Sequence, residues 1–189
     1  MSKNNIINNK KEGLFEYYFP NGKIHFKCKY VNDKKEGPFE QYCEYNIGNP
    51  CIKCIFKDDK KEGLFEQFYP KGNIWVKCIY VNDKKDGLFE QYYEFNNGKL
   101  CIKCVFKEDK KEGPFEQFYP NGQLHIKCTF KDNKKEGQFE EYCPNGQLNI
   151  KCILKNNKKE GYIENHREEQ NHREGHYMDG KTHSKYTYI

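Results

Sequence analysis

The stretch that decides the fold is Gly113-Pro114-Phe115-Glu116-Gln117-Phe118-Tyr119-Pro120-Asn121-Gly122-Gln123-Leu124-His125-Ile126-Lys127-Cys128-Thr129-Phe130. Its second half alternates cleanly. Leu124, Ile126, Cys128 and Phe130 are apolar, whereas Gln123, His125, Lys127 and Thr129 are polar. Period-two alternation marks a β-strand with one sheltered face. The first half is short and rich in aromatics, which suits a strand better than a helix. Those aromatics fall on both parities, so the register of the first strand stays open. Between the halves stands Pro120-Asn121-Gly122. Proline presets φ for the second turn position, asparagine tolerates the third, and glycine takes the left-handed conformation of a bulge. The segment reads as one β-hairpin.

The hairpin recurs in both directions along the chain. Lys-Lys-Glu/Asp-Gly occurs seven times, with its glycine at Gly13, Gly37, Gly63, Gly87, Gly113, Gly137 and Gly161, at spacings of 24, 26, 24, 26, 24 and 24 residues. Residues 14–59 are echoed by 64–109, so a two-hairpin block of 50 residues has been duplicated. Two residues after the glycine comes Phe15, Phe39, Phe65, Phe89, Phe115 or Phe139, and a glutamate follows each time. The Pro-x-Gly turn returns as Pro20-Asn21-Gly22, Pro70-Lys71-Gly72 and Pro144-Asn145-Gly146; hairpins two and four lack the proline and are two residues longer, around Gly48 and Gly98. A second turn, such as Asn32-Asp33-Lys34 or Asp58-Asp59-Lys60, joins neighbours. The array spans 1–164 as about six full hairpins, opened by a leftover half-strand at 3–9 with Ile6 and Ile7. Residues 165–189 form a polar tail rich in His and Arg, in which 175–181 and 186–189 offer a degenerate capping hairpin. Terminal repeats of such arrays are commonly atypical.

Composition narrows the class. Of 189 residues, 35% are hydrophobic, 32% charged and 16% aromatic, with mean hydropathy −1.12 and formal charge +5. So few apolar residues cannot fill a thick core, and so many aromatics are unlike a disordered chain. Alanine is absent, serine occurs only at Ser2 and Ser184, and arginine only at Arg167 and Arg173. No apolar run approaches the ~20 residues of a membrane span. Residues 1–11 lack the apolar segment of a secretory signal. The expected location is the cytoplasm, where the ten cysteines should stay reduced.

Glycine-x-Phe-x-x-aromatic-aromatic-x-Asn-Gly, an alternating strand and then Lys-Lys-Glu-Gly together resemble the variant MORN repeat, over roughly residues 10–163. The resemblance implies an all-β, elongated, single-layer twisted ribbon of stacked antiparallel hairpins. It implies non-catalytic work: protein scaffolding, association with anionic lipid, or kinship with antitoxin-like proteins. The chain departs from the family where a glycine usually opens the joining turn. Lys34, Lys60 and Lys84 stand near that position, which leaves the turn type open. At ~4.8 Å per strand each hairpin adds ~10 Å, for an expected length of roughly 65–70 Å.

Several residues invite a chemical reading. Cys51-Ile52-Lys53-Cys54 and Cys101-Ile102-Lys103-Cys104 are CxxC motifs, the spacing of zinc and redox sites. Yet Cys54 and Cys104 belong to a column with Cys28, Cys78, Cys128 and Cys152, one per hairpin. Residues i and i+3 of a strand face opposite ways, and column neighbours two strands apart lie ~10 Å from each other, beyond the ~7 Å that a disulfide spans. The column reads as small buried filler. Cys43 and Cys51 flank one turn and could become cross-strand neighbours, but free thiols are expected there rather than a disulfide. His166, His172, His176 and His183 lie in the tail with no metal spacing, and no cofactor or metal is expected. Repeated rather than unique carboxylates and cysteines argue against an enzyme.

Two surfaces remain. A lysine edge is formed by Lys34 and Lys35, Lys60 and Lys61, Lys84 and Lys85, Lys110 and Lys111, and Lys134 and Lys135; it offers an anionic membrane ~1 kcal/mol per lysine near the surface. An array without arginine argues against nucleic acid. One column varies between hairpins: His25, Cys51, Trp75, Cys101, His125 and Asn149, opposite the apolar stripe. Tryptophan is enriched at binding hot spots. The expected function is therefore a scaffold that binds an unidentified protein partner through its sheet, with Trp75, His25, His125 and Asn149 as contact residues. The lipid-binding lysine edge is the alternative. Edge strands open to pairing would allow a homodimer.

Overall fold

A computed structural model describes residues 6–44, 48–95, 98–165 and 173–187. The described residues contain no helix, and the chain falls into two compact units, residues 1–98 and 99–189. The first unit holds β1 (Ile6–Ile7), β2 (Lys10–Lys11), β3 (Gly13–Tyr18), β4 (Ile24–Val31), β5 (Lys34–Tyr42), β6 (Pro50–Lys57), β7 (Lys60–Phe68), β8 (Ile74–Val81) and β9 (Lys84–Tyr92). β1 and β2 pair with each other; β3 to β9 lie side by side in chain order as an open antiparallel sheet. The second unit holds β10 (Leu100–Lys107), β11 (Lys110–Phe118), β12 (Leu124–Lys131), β13 (Lys134–Tyr142), β14 (Leu148–Lys155), β15 (Lys158–Asn165), β16 (Arg173–Met178) and β17 (Lys181–Thr187), again in chain order. Stacked hairpins are thus the architecture expected from the repeat. The capping hairpin forms too: β16 pairs with β15 and β17, so the second unit's sheet runs past residue 164 into the tail. The tail histidines of the sequence reading lie outside the residues whose side chains are described.

The joining turns explain the missing glycine. Asn32 and Asp33 have φ of 50° and 68°, Asn82 and Asp83 49° and 66°, Asp132 and Asn133 48° and 65°. Two successive left-handed residues make a type I′ turn, whose twist matches that of the flanking strands. Asn and Asp tolerate this region best among non-glycine residues. The glycine is used four positions later instead. Gly37, at φ 82°, lies in a bulge where Glu36, Gly37 and Pro38 of β5 stand against the single Lys29 of β4, between the pairs Tyr30–Lys35 and Cys28–Phe39.

Successive joining turns clasp one another. Asp33 donates its N–H to the Lys11 carbonyl (3.1 Å), and its Oδ1 accepts the Lys11 N–H (2.7 Å). Asp59 does the same with Lys35, Asp83 with Lys61, Asn133 with Lys111 and Asn157 with Lys135. The glutamate of Lys-Lys-Glu-Gly accepts the N–H of the next turn's first residue, as Glu36 does from Asp58 at 3.0 Å and Glu62 from Asn82 at 2.9 Å. The tetrapeptide is therefore turn chemistry: an acceptor for the neighbouring turn, then a left-handed bulge.

One sheet face carries the core. Cross-strand pairing builds a row Phe15–Cys28–Phe39–Cys54–Phe65–Cys78–Phe89 in the first unit and Cys104–Phe115–Cys128–Phe139–Cys152 in the second. Aromatic rings are too large to stand side by side at strand spacing with equal bulk between them, and cysteine is the small apolar partner that lets them close. Phe15 is 2% exposed and Cys28 1%. The ring row also settles the parity of the first strand: Phe15 and Tyr17 join the core face, whereas Tyr18 pairs with Ile24 beyond a bulge.

Candidate functional site

The opposite face is built on charge. Glu16, Lys27, Glu40, Lys53, Glu66, Lys77 and Glu90 pair in that order across β3 to β9, and Lys103, Glu116, Lys127, Glu140 and Lys151 across β10 to β14. Opposite charges at cross-strand positions are worth roughly 0.2–1 kcal/mol each. The glutamates also accept hydroxyls two residues along: Tyr18 to Glu16 (2.6 Å), Tyr42 to Glu40 (2.7 Å), Tyr92 to Glu90 (2.8 Å) and Tyr142 to Glu140 (2.8 Å). Burial, seconded by these carboxylates, pushes the Tyr42 and Tyr92 phenols up to about 12. Both columns of the ladder are visible in sequence, one residue after each Phe and one before each Cys. Only the register shows that they meet.

Beside this ladder in the first unit runs an apolar row that the alternation did not reveal. Leu14 (59% exposed), Ile55 (44%) and Leu88 (42%) stand open, as does Pro38; Leu64 and Ile79 are half-buried. Pro38 pairs with Ile55 and Leu64 with Ile79, two residues from the ladder on their strands. In the second unit the equivalent row is diluted by Thr129 and Gln138, leaving Ile153 and Pro114 exposed.

The variable column turns out to be a bulge column. On β8, Ile74 pairs with Phe68 and Val76 with Gln67, which leaves Trp75 as the extra residue. His25, Cys51, His125 and Asn149 are the extra residues of β4, β6, β12 and β14. Each meets a group of its own hairpin. His25 lies 4.3 Å from the Phe19 ring, Trp75 5.7 Å from Tyr69 and His125 4.2 Å from Tyr119, while Asn149 Nδ2 donates to Glu141 at 3.4 Å. His25, Trp75, His125 and Asn149 are half-buried and Cys51 is buried; they stand one per hairpin and are not gathered into a single site.

The lysine pairs divide. The second lysine of each is half-buried and lies over the rings of the core row. Lys35 Nζ is 4.9 Å from the Phe56 centroid, Lys61 5.0 Å from Tyr80, Lys85 5.7 Å from Phe89, Lys111 5.1 Å from Phe115 and Lys135 4.8 Å from Phe139. Their stems cover the aromatic face while the ammonium groups reach outward. The first lysines, Lys34, Lys60, Lys84, Lys110 and Lys134, are exposed. Lys34 contacts Asp58 at 3.0 Å and Lys110 contacts Asp132 at 2.8 Å. That hydrogen bond raises the Lys110 ammonium above its ordinary value and lowers the Asp132 carboxyl below its own. Only half of the lysines read as an edge are therefore exposed, and of these Lys34 and Lys110 are already paired with carboxylates.

The cysteine column is buried throughout, and burial drives the thiol of Cys28, Cys128 and Cys152 upward and those of Cys54 and Cys78 to about 11. A thiol held neutral is a poor nucleophile. The members of the first CxxC diverge as strand geometry requires: Cys54 fills the ring row, while Cys51 stands in the bulge column; Cys104 fills the ring row of the second unit. Not all ten are thiols, however. Cys43 and Cys51 form a disulfide, with Cα atoms 5.8 Å apart. Among the described residues no three His, Cys, Asp or Glu side chains gather as a metal site.

The family model of the MORN repeat variant matches residues 11–32, 61–82 and 111–132. Each match runs from a second lysine to the first residue of the next joining turn, and so covers one hairpin of the type with the Pro-x-Gly turn. No curated protein matches the chain. MORN repeats are generally associated with protein or membrane binding. The chain thus carries the variant MORN repeat, recognised in three hairpins, and the same hairpin geometry recurs in the others.

Proposed function

We propose that the chain is a non-catalytic scaffold that binds another protein across the charge-ladder face. The row of Leu14, Pro38, Ile55 and Leu88, with Leu64 and Ile79, carries the reading. Lys29 separates Leu14 from the rest, and from Pro38 to Leu88 the row is unbroken by charge; an exposed apolar strip bordered by charges has the anatomy of an interface. The ladder charges are already paired with one another, so a partner meets a polar rim that needs little rearrangement. The bulge column, with Trp75 and His25 in the first unit and His125 and Asn149 in the second, supplies ring-rich contacts at the other margin. Recovery of partners from a native extract tests this with wild type, Ile55→Glu with Leu88→Glu, and Trp75→Ala. Loss of the same partner in the double variant supports the face, and unchanged recovery of every partner refutes it.

A second reading, attachment to an anionic membrane, is favoured by one observation. Exposed lysines stand directly opposite one another at Lys57–Lys60, Lys107–Lys110, Lys131–Lys134 and Lys155–Lys158. Like charges opposite each other destabilise a sheet, and an anionic surface would relieve them. Co-sedimentation with anionic and zwitterionic vesicles at low and high salt decides it. Equal, salt-insensitive recovery with both would exclude this reading.

A further inference from the structure

We propose that Cys43 and Cys51 are a reversible thiol–disulfide lock on the turn of the second hairpin, operated by low-molecular-weight thiols of the glutathione class. Five other positions in the array are equivalent to this pair. In three of them the hairpin end is held by ring contact: Phe19 with His25, Tyr69 with Trp75, and Tyr119 with His125. Such contacts are indifferent to redox state. The second hairpin has a covalent clamp at the same place and lacks the tight Pro-x-Gly turn. Its turn also touches the preceding hairpin. Asn21 Nδ2 donates to Glu44 Oε1 at 3.3 Å, and Lys23 Nζ donates to the Glu44 carbonyl at 3.4 Å. The clamp therefore stands beside a contact that joins the first two hairpins.

The two sulfurs differ in a way that suits exchange. Cys43 is exposed and Cys51 buried. An external thiolate attacks Cys43 Sγ, the protein S–S bond breaks, and its electron pair leaves on Cys51 Sγ, which takes a proton from water. A second external thiolate then displaces the mixed disulfide at Cys43. The sum is one protein disulfide plus two small thiols giving two protein thiols plus one small disulfide; oxidation is the reverse. The reduced state is accommodated as well. Cys51 Sγ lies 3.3 Å from the Gln41 carbonyl oxygen, an acceptor in place for the new S–H. Six of the other thiols are buried in the ring row; Cys101 and Cys143 are half-buried, but Tyr93 and Asn149 stand where each would need a second cysteine across its own turn.

The duplicated block contains its own control. Fifty residues on, Cys51 recurs as Cys101, but Tyr93 replaces Cys43 in a turn of the same length. The experiment equilibrates the full chain across a series of reduced-to-oxidised glutathione ratios, maps thiols by differential alkylation, and follows cleavage by a Glu-specific protease at Glu44 and Glu94. The expected result is that Cys43 and Cys51 change together with one midpoint. Cleavage at Glu44 should rise by roughly tenfold to a hundredfold on reduction, the scale of closure entropy for so short a loop, while Glu94 is unaffected. Cys43→Ser should cleave at the fast rate at every ratio, and Cys101→Ser should behave as wild type. Ten free thiols in oxidised glutathione, a bond that no glutathione ratio reduces, or cleavage at Glu44 indifferent to reduction would each overturn the proposal.

Discussion

Asp83 is where the joining-turn argument is easiest to break. It holds φ at 66° and receives the Lys61 N–H on Oδ1 at 2.8 Å, while giving its own N–H to the Lys61 carbonyl at 3.0 Å. Two separable effects meet there. A side chain with a Cβ costs about 1–2 kcal/mol in the left-handed region, less for Asp and Asn, which bond locally. The side-chain hydrogen bond contributes about 1 kcal/mol. Asp83→Asn preserves both and should change stability by under about 0.5 kcal/mol. Asp83→Gly keeps the conformation and loses the acceptor, for a cost of about 1 kcal/mol. Asp83→Ala loses both, about 2–3 kcal/mol in all.

Urea unfolding measures the totals, and amide exchange at Lys61 measures the local part. With Asp83→Gly that amide should exchange roughly fivefold to tenfold faster, while Lys35, whose acceptor is Asp59, should not change. If alanine proves no worse than glycine, the left-handed cost is not what selects these residues. If glycine equals asparagine, the side-chain staple contributes nothing and the turns are held by backbone alone.

Three further outcomes follow from the packing. Phe15→Ala should cost about 3–5 kcal/mol, read from the urea midpoint, because a fully buried ring leaves a cavity between Cys28 and Tyr30. Lys61→Ala should cost about 1 kcal/mol by losing its cover over Phe65 and Tyr80, whereas Lys60→Ala should be close to neutral; equal effects would refute the division of each lysine pair. Alkali should destabilise the fold, because Cys54 and Cys78 titrate near 11 when folded and near the ordinary 9.0 when unfolded. The unfolded chain thus sheds protons first, so the stability is fully present below pH 9 and is lost as pH rises towards 11. Urea unfolding at stepped pH checks this, and Cys54→Ala with Cys78→Ala should make the loss shallower.

Much of this structure is legible in the sequence because one repeat is written many times. The second strand shows its face by alternation from Phe26 to Tyr30, and Pro20-Asn21-Gly22 announces its turn: Gly22 donates its N–H to the Phe19 carbonyl at 2.9 Å, as a Pro-x-Gly turn requires. What stayed hidden depends on register. Glu16 and Lys27 are eleven residues apart in a chain full of both types, and nothing local says that they face each other. The column of His25 and Trp75 reads as variable in sequence; paired strands are needed to see that it is the unpaired residue of a bulge, and that each meets a group across its own hairpin turn. The apolar row of Leu14, Ile55 and Leu88 escaped because it shares a face with charges, so that face looks polar when averaged along any single strand. Cys43 and Cys51 were legible as neighbours, but the choice between thiols and a bond rests on the distance of 5.8 Å that the hairpin sets.

The charge ladder also accounts for how the chain can combine hairpins of two lengths. Within each unit every ladder strand from β3 to β9 and from β10 to β15 offers either glutamate or lysine, and its paired neighbour in that unit offers the other, so a hairpin added in phase finds its complement. The constraint is that extra residues must stay out of the paired segments. They do: in the second hairpin, Gln41 still faces Ile52 and Glu40 still faces Lys53, and the longer turn lies wholly between Tyr42 and Pro50. A single residue inserted within β6 would instead turn Lys53 to the ring face and Cys54 to the charged one, exchanging a small filler for a long cation between Phe39 and Phe65. Length is free to vary at the turn margin and nowhere else, and that margin is where the one covalent clamp stands.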